Sequence, residues 1–146
     1  MQMTAIYMLI SGLMFALASV FVAFRMRPAK PSRSGLAMAI LPPLVMLVLF
    51  YSLAIHIHCH FGKWPAGIGD RDFPPSLLVH EHVSDFSFMV LLLFSAFVWP
   101  VVYLICGVVR RWRGVLYYLG IYALSFLVCF GATLLAPWSF WDWWLD

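Results

Sequence analysis

The sequence predicts an all-α membrane protein: one domain, residues 1–146, folded as a bundle of four transmembrane helices with both termini on the outer side. Three observations lead there. Of the 146 residues, 64% are hydrophobic and 10% charged, against about 25% charged in a typical soluble domain. So few polar groups cannot cover a soluble surface of this size. Four continuously apolar runs, about residues 6–24, 35–57, 85–109 and 114–136, come close to or exceed the roughly 20 residues needed to cross about 30 Å of hydrocarbon. Barrel strands would be shorter and would alternate apolar with polar positions. The third observation is where the basic residues fall. The first connector holds Arg25, Arg27, Lys30 and Arg33, the third holds Arg110, Arg111 and Arg113, and neither holds an acid. Seven of the nine Lys and Arg residues thus lie on one side. The positive-inside rule puts that side in the cytoplasm.

The first run lacks a positive segment ahead of it, and its basic cluster follows it. It therefore reads as a retained first helix rather than a cleaved signal peptide. Gly12 and Ala16 stand at small-xxx-small spacing with Ser19 close to that face, a pattern that lets a neighbouring helix approach closely. The second run contains Pro42-Pro43. A helix starting there would leave too short a crossing, so a longer helix kinked at the prolines is expected. Pro100 predicts another kink in the third span.

The outer connector, residues 58–84, is rich in Gly, Pro and alternating charge, and reads as irregular. Trp64 and Phe73 in it suit the headgroup level. Residues 76–83 read as a short helical lead-in to the third span. Ser84 and Asp85 stand at that span's mouth, where they would cap it and favour its dipole; Lys63 or Arg71 would pair with Asp85. The tail, residues 137–146, carries four of the seven tryptophans and reads as an anchor lying along the outer surface. Cys59 and Cys106 fall on opposite sides of the membrane, and no structural disulfide is expected among the three cysteines.

All five histidines lie between residues 56 and 82. His56, His58, Cys59 and His60 close the second span, and His80-Glu81-His82 precede the third. If the second helix continues to His60, then His56 and His60 share a face at i, i+4; if the segment is extended, all three imidazoles line one side. Two helix ends at one depth, both bearing histidine, suggest a metal site of His56, His58, His60, His80 and His82, with Cys59 and Glu81 as further donors. Zinc or copper suits such ligands, and haem would take one axial histidine from each helix end. Against this, histidine is costly in hydrocarbon and so collects in polar connectors. The spacing also matches no established metal signature.

No acid or base lies at the middle of a span, where transporters and pumps place theirs. Phosphate-binding glycine loops, nucleophile elbows and dinucleotide fingerprints are missing too, so no catalytic residue is assigned. The net charge of +3 is an orientation signal and not a nucleic-acid patch. The leading expectation is a small accessory, structural or assembly subunit. Its partners would be the bilayer and either larger membrane subunits or a second copy of itself, and it would carry no cofactor. The alternative is a metal- or haem-binding protein facing the periplasm.

Some residues carry a resemblance. Phe61-Gly62-Lys63-Trp64-Pro65, the His-Glu pair before the third span, the Arg-Trp-Arg turn at 111–113 and the ending in Trp-Trp-Leu-Asp together resemble a group of small, uncharacterised bacterial four-helix membrane proteins. The resemblance covers roughly residues 50–146. It implies a bacterial inner-membrane protein and brings no activity with it.

Overall fold

The computed structural model describes the backbone of residues 2–63 and 74–145, and the side-chain surroundings of 13–63, 74–141, 143 and 144. Among the described residues six α-helices follow in order: α1 (Gln2–Arg25), α2 (Arg33–Phe61), α3 (Pro75–Leu93), α4 (Trp99–Val108), α5 (Val115–Thr133) and α6 (Trp138–Leu145). A π-helical turn, Phe94–Val98, joins α3 to α4 without a break, and a 3-10 turn, Arg110–Trp112, leads towards α5. No strand occurs among the described residues. Among the described residues, three helical stretches are long and apolar enough to cross a membrane: Arg33–Phe61, Pro75–Val108 and Val115–Thr133. Within α1, Leu13–Arg25 is a shorter apolar stretch.

The termini of α2 follow from local chemistry. The Ser32 side chain accepts the Gly35 N–H at 3.3 Å and so caps the first turn. The Tyr118 hydroxyl accepts the Ser32 N–H at 2.7 Å, tying this cap to α5. At the other end Gly62 adopts φ +67 and donates its N–H to the His58 carbonyl at 2.9 Å. A left-handed residue there stops the helix, and glycine takes it without a side-chain penalty. Pro42 and Pro43 lie inside the continuous helix. They remove two N–H donors without ending it.

Pro100 is accommodated differently. The Trp99 N–H reaches the Phe94 carbonyl, a bond one residue longer than the α-helical one, so the backbone is widened just before the proline. Trp99 then donates its indole N–H to the Leu119 carbonyl at 3.0 Å, and Ser95 and Tyr122 share a hydroxyl bond at 2.8 Å. The π turn therefore aims two polar groups at α5.

α5 is the helix against which α1, α2 and α4 all pack. α1 approaches it closely at Gly120, which carries no side chain. A Cβ there would collide with Ala23 Cβ and meet the Ser19 carbonyl at 3.1 Å. The close-packed small face of α1 is thus Ser19 and Ala23, both buried. Of the predicted small residues, Ala16 and Ser19 lie on that flank of the helix, and Gly12 lies outside the described side chains.

Two expectations are corrected here. The third helix does not begin at Asp85: it begins at Pro75 behind Pro74, and the lead-in and the span form one helix. Ser84 is consequently mid-helix and buried, donating to the Leu49 carbonyl of α2 at 3.3 Å instead of capping. Asp85 is an exposed mid-helix residue. α2 ends at Phe61 and α3 begins at Pro75; of the expected irregular connector, residues 64–73, with Trp64, Arg71 and Phe73, lie outside the described residues.

The tail is also rearranged. A turn over residues 134–137 folds α6 back against α2 and α3, and Phe140, Trp141 and Trp143 become buried while Trp138 stays exposed. Phe50 of α2 is the ring they close on, with centroids 5.2 Å from Phe140, 5.3 Å from Trp141 and 4.9 Å from Trp144. Phe88 of α3 completes the cluster at 4.7 Å from Trp144. Two side-chain bonds at the end of α5 hold this fold-back, beside the bonds that the Leu135 and Ala136 N–H groups already give the Ala132 and Thr133 carbonyls at 3.1 Å. The Trp141 indole N–H donates to the Thr133 carbonyl at 2.9 Å and the Tyr51 hydroxyl to the Ala132 carbonyl at 2.7 Å.

These contacts fix an expectation for the α1–α5 seam. Gly120→Ala should destabilise the protein by about 1–3 kcal/mol, the usual cost of overpacking. Gly107→Ala, where a Cβ meets no atom within 4 Å, should be neutral or stabilising by up to about 1 kcal/mol. Thermal or denaturant unfolding in mild detergent measures both. Equal effects would refute the seam.

Candidate functional site

The candidate site is the pair of helix ends formed by α2 and α3. Because α2 continues to Phe61, the histidines of residues 56–60 obey helical spacing. His56 therefore sits one turn beyond Ser52 on the flank facing α3, while His58, Cys59 and His60 are exposed. On α3, His80 is half-buried towards α2 and His82 is exposed.

His56 and His80 meet directly, Nδ1 to Nδ1 at 3.1 Å, with ring centroids 5.4 Å apart. The other nitrogen of His80, Nε2, lies 2.9 Å from the Ser52 hydroxyl. Ser52 in turn donates its proton to the Leu49 carbonyl at 3.0 Å. These contacts assign the protons. A hydroxyl has one hydrogen, and Ser52 gives it to Leu49, so Ser52 accepts from His80 Nε2–H. Neutral His80 then presents a bare Nδ1, which accepts from His56 Nδ1–H. The result is a directed chain: His56 to His80 to Ser52 to the Leu49 carbonyl. Ser84 adds a second donor from α3 to the same carbonyl.

The chain ends on a backbone carbonyl, which cannot take up and pass on a proton. Its effect is to fasten α3 to α2 through polar bonds, of the kind that hold helices together where lipid surrounds them. Two doubly protonated imidazoles could not make the central bond, because neither would offer an acceptor.

The remaining predicted donors are not gathered. His82 donates Nδ1–H to the Leu78 carbonyl one turn back at 2.6 Å. The His60 ring stands edge-on to Phe61 with centroids 4.8 Å apart. Among the described residues, no group of three or more His, Cys, Asp or Glu side chains converges to hold a metal ion. The five-histidine site thus resolves into one inter-helix pair, His56 and His80, with His58, His60 and His82 elsewhere on the two helices. Cys59, Cys106 and Cys129 are free thiols, the first exposed and the others buried.

Compared with known proteins, the chain matches no family model, no curated protein and no solved structure. Its chemistry therefore rests on its own geometry.

Ser52, Leu49 and Ser84 are the participants that sequence reasoning missed. One signal was present: Ser52 precedes His56 by one helical turn, so the two share a face. The partner across 28 residues of chain was not readable.

The assigned tautomers can be checked by nitrogen NMR of histidine-labelled protein at neutral pH. His56 should carry its proton on Nδ1 and His80 on Nε2. The opposite assignment would sink the chain as described. Ser52→Ala should cost about 0.5–1.5 kcal/mol, the range of measured inter-helix hydrogen bonds in membranes, and should be non-additive with His80→Ala in a double-mutant cycle.

Proposed function

We propose that this chain is a small integral protein of a bacterial cytoplasmic (inner) membrane. It crosses four times as a helical bundle with both termini outside, and serves as an accessory, structural or assembly subunit packed against larger membrane partners. It performs no catalysis of its own. α1 supplies the fourth crossing: its 24 residues extend about 36 Å at 1.5 Å per residue, enough to pass the hydrocarbon core.

The observation that carries the partner reading is the long helix Pro75–Val108. Only 11% of its most apolar stretch is buried within the chain. Phe97, Val101, Leu104 and Val108 form an outward apolar row that touches little else. Helices in lipid gain by packing side chain on side chain, and this one has a face free for it. The histidines support the same reading, since His56 and His80 bond to each other across two helices.

Purification in a mild detergent should recover a defined membrane partner in fixed stoichiometry. Phe97→Ala with Val101→Ala should loosen that complex at least ten-fold and leave the chain's own unfolding unchanged. A protein that purifies alone counts against the proposal. The metal alternative is decided in the same preparation. We expect no Soret band and less than stoichiometric iron, copper or zinc; a stoichiometric metal or haem would move the function to the histidines.

Orientation has its own test, because Cys59 is the exposed native thiol beside the histidines. A membrane-impermeant maleimide should label it in cells with a permeabilised outer membrane, and Cys59→Ser should abolish the label. Labelling only after lysis would reverse the topology.

A further inference from the structure

A side-open groove of about 530 Å³ separates α1, the π turn with α4, and α5. Phe15, Ala16, Ala96, Pro100, Ala123 and Gly131 are among its walls, and the Ser95–Tyr122 hydroxyl pair is its main polar feature. Its volume lies within the roughly 300–1,000 Å³ of small-molecule sites. The π turn lines it with Ser95 and Ala96, and beside it α4 meets α1, the Phe15 ring centroid lying 5.7 Å from Trp99 and 5.8 Å from Tyr103.

The groove's position suggests its occupant. At 1.5 Å per residue, Tyr122 lies about 10 Å and Gly131 about 24 Å along α5 from Val115. On the four-span reading that depth is the middle of the hydrocarbon, where the surrounding molecules are acyl chains. The three helices that line the groove all end in arginine on one side. Arg25 closes α1, and Arg110, Arg111 and Arg113 join α4 to α5, with no acid in either connector. Clusters of this kind on the cytoplasmic side attract anionic headgroups.

We infer that the groove holds one acyl chain of an acidic phospholipid of the inner leaflet, its headgroup paired with Arg110, Arg111, Arg113 and Arg25. The inference rests on the four-span reading. It makes this lipid a bound component of the protein, filling the groove lined by α1, the π turn, α4 and α5.

Full-length protein reconstituted with phosphatidylglycerol or phosphatidylcholine, then examined by native mass spectrometry, tests it. One phosphatidylglycerol per chain should remain, preferred over phosphatidylcholine by at least ten-fold. Ala96→Phe fills the groove from its exposed wall. Gly131→Leu fills it from a position where a Cβ meets no atom within 4 Å. Either should remove the lipid, whereas Val128→Phe, on an exposed face outside the groove, should not. R110Q/R111Q/R113Q should erase the preference between the two lipids. Equal retention of both lipids by the natural sequence, or retention unaffected by both groove-filling variants, would overturn the inference. So would a partner helix found in the groove of a purified complex. Alkaline carbonate washing of membranes separates the two levels. A chain that stays in the membrane yet keeps no lipid loses only the lipid site; a chain that is extracted loses the spanning reading as well.

Discussion

The bonds that converge on the carbonyl end of α5 tie α2 and α6 to it. A helix leaves its last carbonyls without α-helical donors, and here the turn that follows supplies them, with the Leu135 and Ala136 N–H groups donating to Ala132 and Thr133 at 3.1 Å. Tyr51 from α2 and the Trp141 indole from α6 donate to the same two carbonyls. To deliver that indole, residues 138–145 must fold back, and Phe140 and Trp144 come with it onto Phe50. The indole bond and the rings that close on Phe50 thus turn a tail that reads as a surface anchor into a packed element.

The other end of α5 is held by a different constraint, the absence of atoms. Gly120 lets the α1 backbone approach to where a Cβ cannot fit. Gly35 does the same for Tyr118, whose ring would lie 2.6 Å from a Cβ at that glycine. The tyrosine hydroxyl then reaches the Ser32 N–H at the start of α2. Close approach, polar bonds and aromatic rings replace the hydrophobic drive that lipid-facing helices lack. The His56–His80–Ser52 chain belongs to this set. It is a polar fastener between α2 and α3, placed at helix ends where imidazoles are tolerated.

The π turn is where packing and cavity meet. Pro100 cannot donate to the carbonyl four residues back, and the backbone answers with a longer bond at Trp99. Ser95 and Trp99 consequently face α5, and a groove remains beside α1.

The sequence by itself determined the class of object. Apolar run length, sparse charge and arginine-only connectors are local quantities, and they locate the helices to within a few residues for α2 and α5. They could not locate the start of α3, because Pro75–Val83 is too mixed to separate a helix from a connector without its neighbour. Histidine density was equally visible, and it suggested a five-donor cluster. Only the tertiary structure decided which imidazoles meet. Helical spacing turns His58 away from the His56 face, His60 lies one turn beyond His56 with its ring against Phe61, and the partners of His80 are Ser52 and His56, 28 and 24 residues away in the chain. The same holds for the tryptophans, whose surface or buried fate depends on carbonyls of another helix. Composition and periodicity fix what each segment can be; which polar groups find one another is a property of helices already packed.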